Sequence, residues 1–561
     1  MEVGLDPDIP TYSGGLGVLA GDTLRAAADQ HMPMIGVTLL HRKGYVRQHL
    51  DSGGNQSESP VEWDPAEHLT ETDTRVTVTV AGRTVHVRAW IYEISGNGTG
   101  RVPVYFLDTD LPDNVAEDRR LTDHLYGGDD RYRLSQEVIL GIGGVLMLDT
   151  LGYTDVDVYH MNEGHASLLA LELLGRQIGD GAPASVSEDD IEAVRRHCVF
   201  TTHTPVPAGH DQFQMELATQ VLGQDRMDLL SRSGCCLGSM INLTFVALKF
   251  SRYVNGVAMR HSQIARGMFP QYPINSITNG VHAGSWTSDP FQRMYDQQIP
   301  EWKFDNRYLR YAVNLPLHEI VRAHLEAKED LIREIQRRSG IALDPTVLTL
   351  GFARRATAYK RADMLFADPE RLRRIARDVG PLQVVFGGKA HPRDEGGKAL
   401  IRRVFQAADE LRGTVEVVYL EDYDMTLGKL LCSGVDVWLN TPRKPLEASG
   451  TSGMKAALNA VPSLSVIDGW WVEGHVEGIT GWAIGDAREE SDEETEVASL
   501  YSQLERNILP LYYERPLSFA EIGRWAIALN GSFFNAQRMV SQYGMNAYTY
   551  VAEEPALPGK Q

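Results

Sequence analysis

Between residues 346 and 469, five short apolar runs recur with helical patterns between them: TVLTLGF (346–352), LQVVFGG (382–388), VEVVYL (415–420), VDVWLN (435–440) and SLSVIDG (463–469). Strands of this length joined by helix-sized connections cannot be hairpin neighbours, so they must lie parallel, with crossover helices covering the sheet. The first half has the same grammar in MPMIGVTLLH (32–41), VPVYFLD (102–108), DVDVYHMN (155–162) and HCVFTTHT (197–204). A charged amphipathic helix, LHEIVRAHLEAKEDLIREIQRRSG (317–340), ends at Gly340 ahead of the second set. The expected fold class is α/β, with two doubly wound domains facing a cleft. RVTVTVAGRTVHVRAWIYEI (75–94) alternates with period two around Ala81-Gly82-Arg83 and reads as a hairpin insertion.

A chain of 561 residues, 43% hydrophobic and 23% charged, has ample length for large cores. Its longest apolar run, EVILGIGGVLML (137–148), is too short to span a membrane, and no basic-then-apolar signal pattern follows Met1. Four cysteines without metal-ligand spacing suggest reduced thiols and a cytoplasmic location. A net charge of −21 argues against nucleic acid or an anionic membrane as a partner, so any anionic ligand needs a local basic cluster. The acidic run DAREESDEETE (486–496) reads as a solvated loop and helix start.

Three stretches could hold an anion. In EASGTSGMKAALN (447–459), Gly450, Thr451, Ser452 and Gly453 precede a helix whose first N–H groups lack partners and carry partial positive charge. The residues fit a simple Ser/Thr cap with an exposed lysine. Local sequence favours that cap; the other reading is a phosphate seat beside Lys455, the arrangement needed for a Schiff base to pyridoxal phosphate. FARRATAYKR (352–361) puts Arg354, Arg355, Lys360 and Arg361 directly after a strand end, where open α/β sheets bind ligands; a basic helix start on a solvated face is the alternative. YSGGLG (12–17) supplies glycines that let backbone approach an anion. Histidines in MNEGHAS (161–167) and TTHTPVPAGH (201–210) have no partners at ligand spacing, so no metal is assigned.

In order along the chain, YSGGLGVLAGD (12–22), HMNEGH (160–165), TTHTPVPAGH (201–210), VNGVAMRHS (254–262), ITNGVH (277–282), RRATAYKR (354–361), GGKAHP (387–392), EASGTSGMKAALN (447–459) and RMVSQYGMNAY (538–548) resemble the α-glucan phosphorylases, in particular their shorter bacterial and archaeal kind. The resemblance implies a GT-B fold of two Rossmann-like domains: 1–262 with the hairpin insertion, 263–535 binding pyridoxal 5'-phosphate, and a 536–561 helix and tail crossing back to the first. It implies that Lys455 carries the cofactor and that Thr451, Ser452 and Arg354, here in place of a lysine, lie near the cofactor phosphate. Arg355 and Lys360 match the pair binding substrate phosphate, helped by the glycine loop at Gly14 and the amide of Gly15. Asn255, Glu447, Ser449 and Gly450 match contacts to the glucosyl unit, and His203 matches a residue whose carbonyl lies near the reacting carbon. The implied reaction transfers a terminal α-1,4-linked glucose to inorganic phosphate, giving glucose 1-phosphate with retention, by an enzyme that is a possible homodimer.

The chain departs from the better-known animal members in GTSGMK, where those carry an asparagine before the methionine, and in lacking a counterpart of their regulatory N-terminal extension. MEVGL matches a stretch inside the family's first strand, so part of that strand is expected to be missing from the first sheet. A nucleotide-sugar glucosyltransferase of the same architecture would carry a second glutamate eight residues after Glu447, where this chain has Lys455. A catalytically silent glucan-binding regulator would not need Arg355, Lys360, Lys455 and Glu447 together.

Overall fold

The computed structural model describes residues 1–179, 186–206, 210–488 and 492–549. Helix α1 (Gly15–Asp29) begins at the glycine turn and is followed by β1 (Gly36–Leu39), the hairpin β2 (Arg47–Leu50) and β3 (Gln56–Ser59), and the long hairpin β4 (Thr70–Val80) and β5 (Arg83–Ser95). Ala81 and Gly82, at φ 51° and 73°, make the two-residue turn whose twist matches a right-twisted strand pair. Strand β6 (Arg101–Asp108) pairs antiparallel with β5 and parallel with β1, giving the order β1-β6-β5-β4. The hairpin therefore extends this sheet.

Helix α2 (Asp130–Val138) leads toward a second sheet of β7 (Tyr159–Asn162), β8 (Cys198–Thr201), β9 (Tyr253–Gly256) and β10 (Asn275–Ser276), parallel throughout and in that spatial order. The first half thus holds two four-stranded sheets. Residues 1–14 form no strand; Val3, Leu5 and Ile9 are buried with Leu19 and Leu24 of α1.

In the second half, α3 (Leu317–Ser339) buries Ile320, Ala323, Ala327, Leu331 and Ile335, the three-and-four spacing of one helix face, and stops at Gly340 in the left-handed conformation. Six parallel strands follow: β11 (Leu348–Ala353), β12 (Leu382–Gly387), β13 (Glu416–Leu420), β14 (Val437–Asn440), β15 (Ser463–Val466) and β16 (Gly481–Ile484). Every residue of β11, β12, β14, β15 and β16 is buried, as strands covered on both faces require. Their order is β13-β12-β11-β14-β15-β16, so the winding reverses between β11 and β14. In doubly wound sheets the crevice beyond the carboxyl ends of those two strands is where ligands bind.

Several contacts join the halves, two sets of them from discrete elements. Helix α4 (Ala536–Tyr543) packs Met539, Val540 and Tyr543 into the core formed by α1 and β6. The β2–β3 hairpin reaches the loops after β12 and β13 and the helix Glu395–Leu411 between those strands: the Gln48 amide donates to Asp422, the Gln56 side chain donates to the Ala390 carbonyl at 2.9 Å, and Lys398 of the helix pairs with Glu58 at 3.0 Å. The acidic run is not wholly solvated. Its Glu496 is 1% exposed and pairs with Arg361 at 2.5 Å. Residues 489–491 of that run, 207–209 of the histidine motif and 550–561 of the tail lie outside the described residues. No helix among the described residues is long and apolar enough to cross a membrane.

Candidate active site

A cavity of about 780 Å³ lies between the halves, over the carboxyl ends of β11 and β14. Its second-half wall carries Arg354, Arg355, Lys360, Glu447, Ser449, Gly450, Thr451, Ser452 and Lys455. The opposite wall carries Gly14, Gly15, Glu163 and His203. Of the residues expected at the site, the structure brings all but one to this cavity.

The exception is Asn255. It is fully buried in β9, takes a hydrogen bond from Thr201 Oγ1 at 2.9 Å and donates to Tyr543 Oη at 3.0 Å, so both ends of its amide serve the core. Asn279 lines the cavity instead. Its Nδ2 donates to Ser449 Oγ at 3.1 Å while its buried Oδ1 has no partner among the described residues. A buried acceptor left unmatched beside a cavity is suited to a ligand hydroxyl.

Arg354 and Arg355 leave the end of β11 in different directions. Arg354 is held by Asn440 at the end of β14 and by the Glu447 carboxylate. Arg355 makes no hydrogen bond or ion pair among the described residues and is exposed to the cavity. Arg361, next in the basic cluster, turns away: its guanidinium donates to the Thr441 and Pro442 carbonyls. Lys360 is buried with its Nζ 3.2 Å from Glu447. Burial and the Arg354 guanidinium push its ammonium down to about 7, against the pull of Glu447. Burial pushes the Glu447 carboxyl up, but Arg354 and Lys360 outweigh it and hold that group below its ordinary value. The cluster keeps a surplus of positive charge around one carboxylate.

Lys455 is in the second turn of a two-turn helix, Thr451–Ala457, whose preceding residue Gly450 sits at φ 89°. It is 7% exposed, and its Nζ makes no hydrogen bond among the described residues; it stands 3.5 Å from the centre of the Trp286 ring, which Asp22 holds by accepting from the indole N–H. Burial lowers the Lys455 pKa, which raises the share of free amine. Ser452 Oγ accepts from Trp438 Nε1, and Thr451 Oγ1 makes no bond among the described residues. An unbonded, depressed lysine amine over an indole face, beside a cationic cluster and a roomy cavity, fits a group carrying an aldehyde and a phosphate.

On the opposite wall, the Glu2 carboxylate takes the amides of Ser13 and Gly14 and the hydroxyl of Tyr126. The amide of Gly15 has no such partner among the described residues, and a Cβ on Gly14 or Gly15 would meet open space, leaving room for a ligand. His203 donates its backbone N–H to Glu163 and pairs through its ring with Asn162. Burial pushes its imidazole down to about 3, so it is neutral.

Glu137, His165 and Asp211 place ligand atoms within 4.8 Å of one another, a grouping invisible in their sequence spacing. The cation among them is Arg133, 3.0 Å from Glu137, 2.9 Å from Asp211 and 3.0 Å from His165 Nδ1.

Sequence reasoning missed Asn279, Glu163, Trp286 and Glu2. Asn279 and Glu163 lie inside recognised motifs without having been singled out there. The role of Glu2 rests on a contact with Tyr126 that no local pattern encodes.

Comparison with known proteins bears on this geometry. The family described as carbohydrate phosphorylase matches residues 225–479. A maltodextrin phosphorylase from Thermococcus litoralis is 38% identical over 97% of this chain and 69% of its own length. A glycogen phosphorylase from Mycobacterium tuberculosis is 36% identical over 99% of this chain and 70% of its own length. One from Aquifex aeolicus is 33% identical, covering 99% and 86%. With relatives of this similarity along nearly its whole length, and with a lysine, a cation cluster and a glycine loop meeting in one cleft, the chain belongs to the carbohydrate phosphorylase family.

Proposed function

We propose that the chain is an α-1,4-glucan phosphorylase that moves a terminal glucosyl unit to inorganic phosphate and releases glucose 1-phosphate with retention of configuration. The observation that carries this reading is the pairing of an unbonded Lys455 with the unpaired Arg355 and the buried Lys360 at the reversal of the parallel sheet. Lys455 would hold pyridoxal 5'-phosphate, with Thr451, Ser452 and Arg354 toward its phosphate. Bound there, the cofactor supplies a phosphate able to exchange a proton with the substrate phosphate, its second pKa being near 6 when free.

The chain's own residues do the remainder. Arg355 and Lys360, with the Gly15 amide, bind and orient the incoming phosphate and offset the repulsion of two anions at close quarters. Glu447, Ser449, Gly450 and Asn279 orient the glucosyl hydroxyls, and the His203 carbonyl faces the developing positive charge at C1. The glycosidic C1–O bond breaks, the departing 4-oxygen takes a proton, and a phosphate oxygen bonds C1. The two walls exclude water, which would otherwise compete for C1. We read the architecture as GT-B, divided at 1–262, 263–535 and 536–561, and the location as cytoplasmic, which the four free thiols among the described residues support.

The test is incubation of the purified, cofactor-loaded protein with maltodextrin and phosphate. Glucose 1-phosphate should accumulate, and nucleotide-linked glucose should not replace it as donor in the reverse direction. Glucan elongation from a nucleotide sugar alone would overturn the proposal.

A further inference from the structure

Glu163 stands in a conformation that glycine adopts and other residues avoid. Its backbone lies at φ 68° and ψ 174°, at the end of β7. Such backbones persist only when their surroundings hold them, and they gather at functional sites. Here the side chain shows what holds it. Glu163 is 6% exposed, and its Oε2 accepts from the His203 N–H at 2.8 Å and from Thr204 Oγ1 at 3.1 Å, while Oε1 accepts from the Gly164 N–H at 3.2 Å. Its own N–H donates to the Thr201 carbonyl at 2.9 Å. Residues 201–204 are thus gripped from β7 at two levels, by the backbone of Glu163 and by its carboxylate. No described residue donates to the His203 carbonyl.

We propose that Glu163 is a positioning residue: its carboxylate fixes the His203–Thr204 turn and thereby sets the direction of the His203 carbonyl at the reacting carbon. The inference rests on the functional reading above for the role of that carbonyl, and on the geometry alone for the grip. A carboxylate whose two oxygens already accept three donors from the loops around it is occupied with those loops, and the strained backbone is the cost of placing it there. Glycine would relieve the backbone and release the turn. Glutamine would keep one oxygen able to accept from both His203 and Thr204, while its amide NH2 would face the Gly164 N–H, a donor toward a donor, at that one position.

The experiment uses the full-length, cofactor-loaded protein and the variants Glu163→Gly and Glu163→Gln. Amide hydrogen exchange is read on the peptide spanning 200–206, beside steady-state kinetics and the thermal midpoint. For Glu163→Gly the midpoint should stay close to that of the unsubstituted protein, because backbone relief offsets the lost hydrogen bonds. Exchange at His203 should rise at least about tenfold as the turn opens locally. The kcat should fall by roughly a hundredfold with the phosphate KM nearly unchanged, as expected of a misplaced group that does not bind phosphate. Glu163→Gln should keep slow exchange and most of the activity. Unchanged exchange in Glu163→Gly overturns the grip. A Glu163→Gln variant as inactive as Glu163→Gly, with protected amides, overturns positioning in favour of proton transfer. If the unsubstituted protein fails to phosphorolyse glucan, the functional reading falls while the exchange result still judges the grip.

Discussion

The Lys360 ammonium and the Glu447 carboxylate lie 3.2 Å apart, both buried, with the Arg354 guanidinium bonded to the same carboxylate. In this arrangement one protein carboxylate satisfies two cations that also line the cavity, where the proposed reaction seats an anion. Replacing it with an amide leaves two buried cations underpaired. Glu447→Gln should lose about 3 kcal/mol of unfolding free energy, the range for breaking a buried pair by removing one partner. Phosphate buffer should recover part of that loss where chloride of equal ionic strength does not, because the anion takes the carboxylate's place. Equal stability in both salts would show that the cations do not face an open seat.

Lys360 also gives the site a pH dependence with a definite sign. Its folded-state pKa of about 7 lies below its ordinary 10.5. Below pH 7 the side chain is charged in both folded and unfolded chains, and the burial penalty is fully present. Between about 7 and 10 the folded side chain is neutral and the unfolded one charged, so stability rises with pH across that window. In the proposed reaction phosphate binding runs the other way, since it would need the ammonium. The kcat/KM for phosphate, which reports the free enzyme, should fall as pH rises through about 7. Lys360→Arg, charged throughout, should move that limb upward by more than about one unit. A limb at the same pH in both proteins would belong to another group.

Arg355 separates binding from stability. Exposed to the cavity and without a hydrogen bond or ion pair among the described residues, it can be removed without stranding a bonded partner. Arg355→Ala should reduce kcat/KM for phosphate at least tenfold, about 1.4 kcal/mol, and change unfolding free energy by less than about 0.5 kcal/mol. A variant that unfolds readily yet keeps normal kinetics would make Arg355 structural.

The two asparagines show where sequence reading reached its limit. Asn255 and Asn279 both follow strand-like residues in recognised motifs, and nothing local distinguishes them. Three-dimensional placement does: Asn255 is consumed by Thr201 and by Tyr543, which arrives from far along the chain, whereas Asn279 keeps Oδ1 free at the cavity. Asn255→Ala should therefore cost about 1–3 kcal/mol of stability by stranding buried partners. Asn279→Ala should cost less stability, since it strands only the Ser449 hydroxyl, and should lower the rate with glucan. The strands were legible because buried parallel strands write themselves as continuous apolar runs, and Lys455 because a helix start and its small residues are local. Glu163 and Glu2 were not, since a backbone angle and a contact across the fold leave no period in a sequence. Glu496 was misread for the same reason: its partner Arg361 lies far away in the chain.

The last prediction concerns Lys455. A glucan carries no amine that could displace a lysine from an aldehyde, so the bond between Lys455 and the cofactor should serve as an anchor throughout turnover. The structure is consistent with an anchor: the Nζ sits over the Trp286 ring, and no acid or base among the described residues is hydrogen-bonded to it. Borohydride treatment of the loaded protein should place the added mass on the peptide containing Lys455 and on no other lysine. The reduced protein should keep substantial activity, because the reduced bond holds the cofactor phosphate in the same place. Cofactor lacking its phosphate should still attach at Lys455 and leave the protein nearly inactive, with part of the rate restored by free phosphite. Loss of turnover on reduction, with folding intact by circular dichroism, would assign chemistry to that bond and remove the anchoring role.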